Sequence, residues 1–337
     1  MTQAPLNLAE VETARQQLAR AQRLLAITHI NPDGDAIGSL VGFGLAVRAL
    51  GKEVVLACAD PVPENLKFLK GTAEVTAKPT GDFDLVVVLD VSEASRMGGA
   101  HGGRAIDLLF DHHVTNSGFA RFNFIDVTAA STAELVADLL EPLGLPLTQP
   151  VAEGLLTGLV NDTIGFRTLN TTTKSLALAQ RLMEAGAVLH TIYDLSMGRR
   201  SLGSVRLWTE GLTRLKVENR VAWTTLPLEA RKAAGYTGKG DADLVNFIST
   251  IREADIAIVF TETPSKTVKV SWRSAPYVNV ATLATAFGGG GHAPAAGAEI
   301  SGTLAAVEEK VLAATHAALN SSQSAGALIS PHEDNRE

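Results

Sequence analysis

Apolar and polar positions in the first half of the chain fall into two recurrent patterns. Solid apolar runs of strand length occur at RLLAITHI (23–30), VVLACAD (54–60), FDLVVVLD (83–90) and AIDLLFD (105–111). Between and after them lie longer segments with helical spacing: AIGSLVGFGLAVRALG (36–51), ended by Gly51, then STAELVADLLEPLG (131–144), VAEGLLTGLVND (151–162) and TTKSLALAQRLMEAGA (172–187). Runs of Val and Leu without polar alternation are what a parallel sheet covered on both faces requires. The pattern therefore predicts an α/β domain, a doubly wound and mainly parallel sheet, over residues 1–190.

The pattern then changes. SVRLWTEGLTRLKV (204–217) starts as a helix, and residues 191–214 read as a helical linker. Beyond it come a short strand VAWTTL, a helix DLVNFISTIREA (243–254), and two strands in DIAIVFTETPSKTVKVSWRS around a turn at Thr263–Lys266. The helix VATLATAF leads into GGGGHAPAAG, a strand-like AEISG and a last helix, TLAAVEEKVLAATHAAL. Residues 215–320 are expected to form a smaller α+β domain, with the active-site cleft between the two domains. The polar tail 321–337 is expected to be disordered.

Composition narrows the function classes. A length of 337 residues suits two domains. No apolar stretch approaches the ~20 residues that span a bilayer, and MTQAPLNLAEVETARQQ lacks the basic-then-apolar order of a signal peptide. The single cysteine, Cys58, sits in the apolar EVVLACAD, which points to a core thiol and a reducing, cytoplasmic setting. A net charge of −7 argues against a long basic groove for duplex nucleic acid. It leaves room for short nucleotides bound beside metal ions.

Candidate chemistry gathers at the ends of the predicted elements. His29, Asp33 and Asp35 follow the first strand in THINPDGDAIG, Asp90 ends FDLVVVLD, and Asp111, His112 and His113 end AIDLLF. Asp162 lies at the end of GLLTGLVND. Ligands of open α/β sheets bind beyond the carboxyl ends of the strands, so residues distant in sequence can converge there. Taken singly, Asp33 and Asp35 are ordinary turn residues, Asp90 a strand-end cap and Asp162 a capping residue. Together, Asp33, Asp35, Asp90 and Asp162 would repel strongly unless protonated or neutralised. Two divalent cations offset that charge. A mixed His/carboxylate set suits Mn²⁺ or Zn²⁺ better than Mg²⁺ or Ca²⁺, and paired ions clamp both oxygens of an in-line displacement at phosphorus.

THINPDGDAIG, VVVLDVS, FDHH and VNDT resemble the four ordered motifs of the DHH phosphoesterase superfamily, and GGGGHAPAAG resembles the signature of the DHHA1 substrate-binding domain. The two-domain layout is most similar to the nanoRNase branch. The resemblance implies that His29 and Asp33 hold one metal, that Asp35, His112 and Asp162 hold the other, and that Asp90 bridges both. It implies two Mn²⁺ as cofactors, a supporting role for Asp111, and a phosphate-facing role for His113. NDTIGFRT departs from the family pattern after Asp162, where Gly more often follows DT directly, so a different local loop is expected.

In the second domain, Gly288 to Gly291 can converge backbone N–H groups on an anion, with His292 as a further donor. Arg273, Ser274 and Arg252 are additional anion-binding candidates. Trp272, Tyr277 and Phe287 can stack on a base or pack in the core.

The function this implies is a phosphodiesterase that degrades RNA of about 2–5 nucleotides to 5′-mononucleotides and dephosphorylates pAp. The alternatives are a phosphodiesterase acting on c-di-AMP or pApA, and a non-catalytic nucleotide sensor, which predicts a missing ligand. All the implied ligands are present. The apolar face of the helices at 151–190 fits a homodimer or core packing equally.

Overall fold

The computed structural model describes residues 7–238 and 240–326, and the chain divides into two compact units at Arg199/Arg200. The first unit runs α1 (Leu8–Arg20), β1 (Arg23–Ile27), α2 (Gly34–Arg48), β2 (Glu53–Ala57), β3 (Leu85–Leu89), β4 (Leu108–Asp111), β5 (Phe122–Ile125), α3 (Thr132–Leu139), α4 (Gln149–Asp162), α5 (Thr173–Glu184) and α6 (Leu189–Tyr193), then a π-helical turn at Asp194–Gly198. Its five strands are all parallel, in the order β2-β1-β3-β4-β5. The solid apolar runs are explained by burial on both faces. Leu24 and Ala26 pack into one core with α1 to α4, while Leu25 and Ile27 pack into another. That second core is completed from the segment between β3 and β4 by Val91, by Met97 in a short 3-10 helix (Ala94–Met97), and by Ala100.

The contact between α2 and α4 is unusually close. Gly34, Gly38 and Gly42 of α2 face Asn161, Gly158, Gly154 and Leu155 of α4, so the helices run antiparallel. A Cβ at Gly38 would lie 2.5 Å from the Gly154 carbonyl oxygen, and one at Gly158 would lie 2.7 Å from Asp35 Oδ1. Small residues let the backbones touch, which sets the start of α2 beside the end of α4.

The second unit comprises α7 (Leu202–Leu212), β6 (Lys216–Glu218), β7 (Val221–Leu226), α8 (Leu228–Ala234), α9 (Leu244–Ile248), β8 (Ile256–Glu262), β9 (Thr267–Ser274), α10 (Ala281–Ala286), β10 (Gly290–His292), β11 (Ala295–Ser301) and α11 (Leu304–Gly326). Its mixed sheet has the order β10-β11-β9-β8-β7-β6, with β7 and β8 parallel and the other pairs antiparallel. One face packs on α10 and α11, and α7 and α9 cover the β7 and β8 end of the other.

Three expectations change. The segment 191–214 is divided between the units and forms no separate linker. α9 stops at Ile248, because Ser249 and Thr250 turn their hydroxyls onto the carbonyls of Asn246 and Phe247. The first six residues of the expected tail continue α11, and the remainder from 327 lies outside the described residues. Among the described residues no helix is long and apolar enough to cross a membrane.

Alanine normally stabilises a helix interior over glycine by about 1 kcal/mol. At Gly38 the sign reverses: Gly38→Ala is expected to destabilise the chain by about 1–3 kcal/mol through overpacking. Urea unfolding measures this, and a raised midpoint would contradict the close α2/α4 contact.

Candidate metal centre

In a parallel sheet ordered β2-β1-β3-β4-β5, the chain leaves β1 in one direction and β3 in the other, opening a crevice beyond their carboxyl ends. His29 follows β1 and Asp90 follows β3, so both stand at that switch point. Asp90 adopts a left-handed backbone (φ 59°), and its N–H donates to the Phe110 carbonyl. Such a conformation is costly outside glycine and is held here by the surrounding pairing. The loop from Thr28 to Gly34 is pinned from three sides. The Ile30 N–H donates to the Arg96 carbonyl, the Asn31 N–H to Asp60, and the Cys58 thiol to the His29 carbonyl.

The candidate ligands meet in three overlapping groups: His29, Asp33 and Asp90; Asp35, His112 and Asp162; and Asp90, His112 and His113. Within each group one ligand atom per residue lies within 4.8 Å of the others. His29 Nε2 is 3.4 Å from Asp90 Oδ2 and 4.0 Å from Asp33 Oδ1. His112 Nε2 is 3.5 Å from Asp162 Oδ2 and 4.0 Å from Asp35 Oδ2. In both histidines Nδ1 faces a main-chain carbonyl, Ile30 at 2.8 Å and Ala129 at 3.3 Å, which turns Nε2 toward the carboxylates. Asp33 also caps α2, accepting the N–H groups of Asp35 and Ala36, so its turn role and its place in the cluster coexist.

Asp111 is fully buried and supports rather than joins the clusters. Its Oδ1 is 2.7 Å from His113 Nδ1 and its Oδ2 accepts from Asn116 Nδ2 at 2.5 Å. After Asp162, Ile164 and Phe166 take left-handed backbones around Gly165. Asp162 stays within its cluster.

The electrostatics fit cations. Burial, together with the charges of Asp90 and Asp162, pushes the Asp35 carboxyl well above the usual carboxylate range. Burial and the charges of Asp33 and Asp90 do the same to Asp162. Burial also raises Asp90, but its bond to His29 and the charges of His113, His29 and His112 more than offset this and hold it low. Burial lowers His113, yet its bond to Asp111 and the charges of Asp90, Asp111 and Asp162 carry it up to about 9. Two ligands ~2.1 Å from one ion stand roughly 3–3.5 Å apart, close to the His–Asp spacings here. The donors therefore suit metal ions, with His29, Asp33, Asp35, Asp90, His112 and Asp162 able to hold them.

Residues 23–159 match the N-terminal domain of the DHH family, and residues 227–321 match the DHHA1 domain. The bifunctional oligoribonuclease and PAP phosphatase NrnA of Thermus thermophilus is 36% identical over 85% of this chain and 87% of its own length. The Bacillus subtilis protein of the same name is 27% identical over 81% and 87%. The crystal structure of an exopolyphosphatase-related protein from Bacteroides fragilis superposes with a TM-score of 0.86 at 25% identity, covering 95% of this chain and 100% of that one. The chain belongs to the DHH/DHHA1 phosphoesterase family. It is accordingly a metal-dependent phosphoesterase.

The candidates in the DHHA1 unit fare less evenly. Gly290, Gly291 and His292 form β10, and the register across three strands aligns His292 with Arg273, Gly291 with Trp272 and Gly290 with Ser271. The expected anion nest is not formed by Gly288 and Gly289, whose N–H groups close α10 on the Thr285 and Ala284 carbonyls. Gly289 and Gly291 instead permit close packing, since a Cβ at either would strike a carbonyl oxygen of β11 within 2.5 Å. Ser274 is likewise redirected, its hydroxyl donating to the Val278 carbonyl. Arg273 spends Nε on Asn246 and Nη1 on the Trp272 carbonyl. Arg252 sits in an exposed turn rather than a helix, and the His292 side chain lies outside the described residues. Trp272 is fully buried with Phe287 stacked beside it, and the Tyr277 hydroxyl bonds Asp255.

Sequence reasoning missed Ser39, Asn116 and Thr132, which hold Asp35, Asp111 and Asp90. STAE was legible only as a helix start.

Because His113 is raised in the folded chain, the stability it contributes is complete below about 6.5 and is lost as pH rises toward about 9. Thermal melts of chelator-treated protein over that window are expected to show the loss, and His113→Gln to flatten it. An unchanged slope in the variant would contradict the Asp111–His113 pairing.

Proposed function

We propose that this chain is a two-metal phosphodiesterase that degrades oligoribonucleotides of about 2–5 nucleotides to 5′-mononucleotides and converts pAp to AMP. One observation carries the reading: two trios of ligands, His29/Asp33/Asp90 and Asp35/His112/Asp162, linked through the third group that Asp90 shares with His112 and His113. The mixed His and carboxylate donors favour Mn²⁺. Paired ions neutralise charge on a phosphoryl group and orient it for in-line displacement. The likeness to the NrnA proteins supports the choice of substrates.

The chain's own residues divide the remaining work. His113 keeps its proton at neutral pH, since Asp111 holds Nδ1, and the imidazolium carries the positive charge that stabilises the phosphate or protonates the leaving oxygen. Asn116 fixes Asp111 from behind, so the imidazolium has one orientation. In the DHHA1 unit, Lys269, Ser271 and Arg273 alternate with the buried Val268, Val270 and Trp272, which gives β9 a polar face where Asn246 of α9 anchors Arg273. Arg273 supplies the pairing for a terminal phosphate there. A chain of net charge −7 offers little to nucleotides beyond the first few.

Incubation with Mn²⁺ and a panel of pAp, pApA, c-di-AMP and RNA from 2-mer to 24-mer tests the assignment. The expected result is fastest turnover of the shortest RNAs together with AMP from pAp. Equal or faster cleavage of 20-mers would contradict it, and preferred hydrolysis of c-di-AMP would replace it. Asp90→Asn should lower turnover roughly 100-fold or more, the cost of losing one preorganised charged group.

A further inference from the structure

Asp90 and Asp35 belong to different ligand trios, yet one residue holds both. Thr132, fully buried at the start of α3, donates its hydroxyl to Asp90 Oδ1 at 2.9 Å and its backbone N–H to Asp35 Oδ2 at 2.6 Å. The Ala133 N–H follows at 2.9 Å on Asp35 Oδ1, which also receives the Ser39 hydroxyl at 3.1 Å. The helix does not need the Thr132 hydroxyl for its own cap, because Ser131 Oγ already accepts the Glu134 N–H at 3.0 Å. The sequence S-T-A-E thus splits the work: serine caps the helix, and threonine faces the carboxylates.

We propose that Thr132 is the positioning residue that ties the two halves of the centre together, so that the affinity for both ions depends on its hydroxyl. The proposal rests on the two-metal reading of the site. The bond occupies Asp90 Oδ1 and leaves Oδ2, 3.4 Å from His29 Nε2, turned into the cluster. Threonine is suited to this because its branched side chain has few rotamers to lose. A carboxylate already held in place binds an ion without first having to be ordered, and loss of such a partner typically weakens metal affinity about 10–100-fold.

The test titrates Mn²⁺ alone, with no nucleotide, into chelator-stripped full-length chain by calorimetry. Thr132→Val, which keeps shape and the backbone N–H, is expected to weaken both ions about 10–100-fold. Thr132→Ser should bind close to wild type, because it restores the hydroxyl. Ser39→Ala touches Asp35 alone and should weaken only one ion. Wild-type binding by Thr132→Val overturns the proposal, as does Thr132→Ser binding as weakly as Thr132→Val. Loss of helical circular dichroism in metal-free Thr132→Val also overturns it, since the hydroxyl would then serve the fold. Wild-type chain that takes up no Mn²⁺ would sink the two-metal reading itself, an outcome distinct from the others.

Discussion

Like charges confined in a small volume are the constraint that organises this protein. Asp33 and Asp90 share one ligand trio, and Asp35 and Asp162 share another. At ~4 Å and an effective dielectric constant of ~20, each such carboxylate pair repels by about 4 kcal/mol. Only protons or cations relieve that. Burial and this repulsion push Asp35 and Asp162 upward, while the histidines around Asp90 hold it low. Cations would turn a source of strain into a binding site.

The fold keeps the charges together by means that lie outside the site. Strand order creates the crevice between β1 and β3, and the strained backbone of Asp90 aims its carboxylate into the cluster. The glycine-lined contact of α2 with α4 brings Asp35, at one helix start, beside Asp162, at the other helix end. Two apolar cores on opposite faces of the sheet hold the frame rigid. Stability generated in those cores sustains a cluster that by itself would fly apart.

Much of this was legible in the sequence because it rests on local signals. Unbroken Val/Leu runs announce buried parallel strands, and all six implied ligands lie at or beside element ends, where the structure brings them together. What was not legible depends on partners far along the chain. Thr132 shows its role only once α3 is placed between Asp35 and Asp90. GGGGH looks like an anion nest in isolation, whereas pairing with β11 gives its glycines a packing reason. β5, with its single fully buried residue Phe124, carries too short an apolar pattern to register. The early end of α9 follows from side-chain hydroxyls that periodicity does not see.

The central claim is that the two trios are two metal sites, and anomalous diffraction at the manganese edge from crystals grown with Mn²⁺ tests it most directly. The account predicts two anomalous peaks in each chain, one enclosed by His29, Asp33 and Asp90 and the other by Asp35, His112 and Asp162. A single peak, or peaks away from these residues, would contradict it.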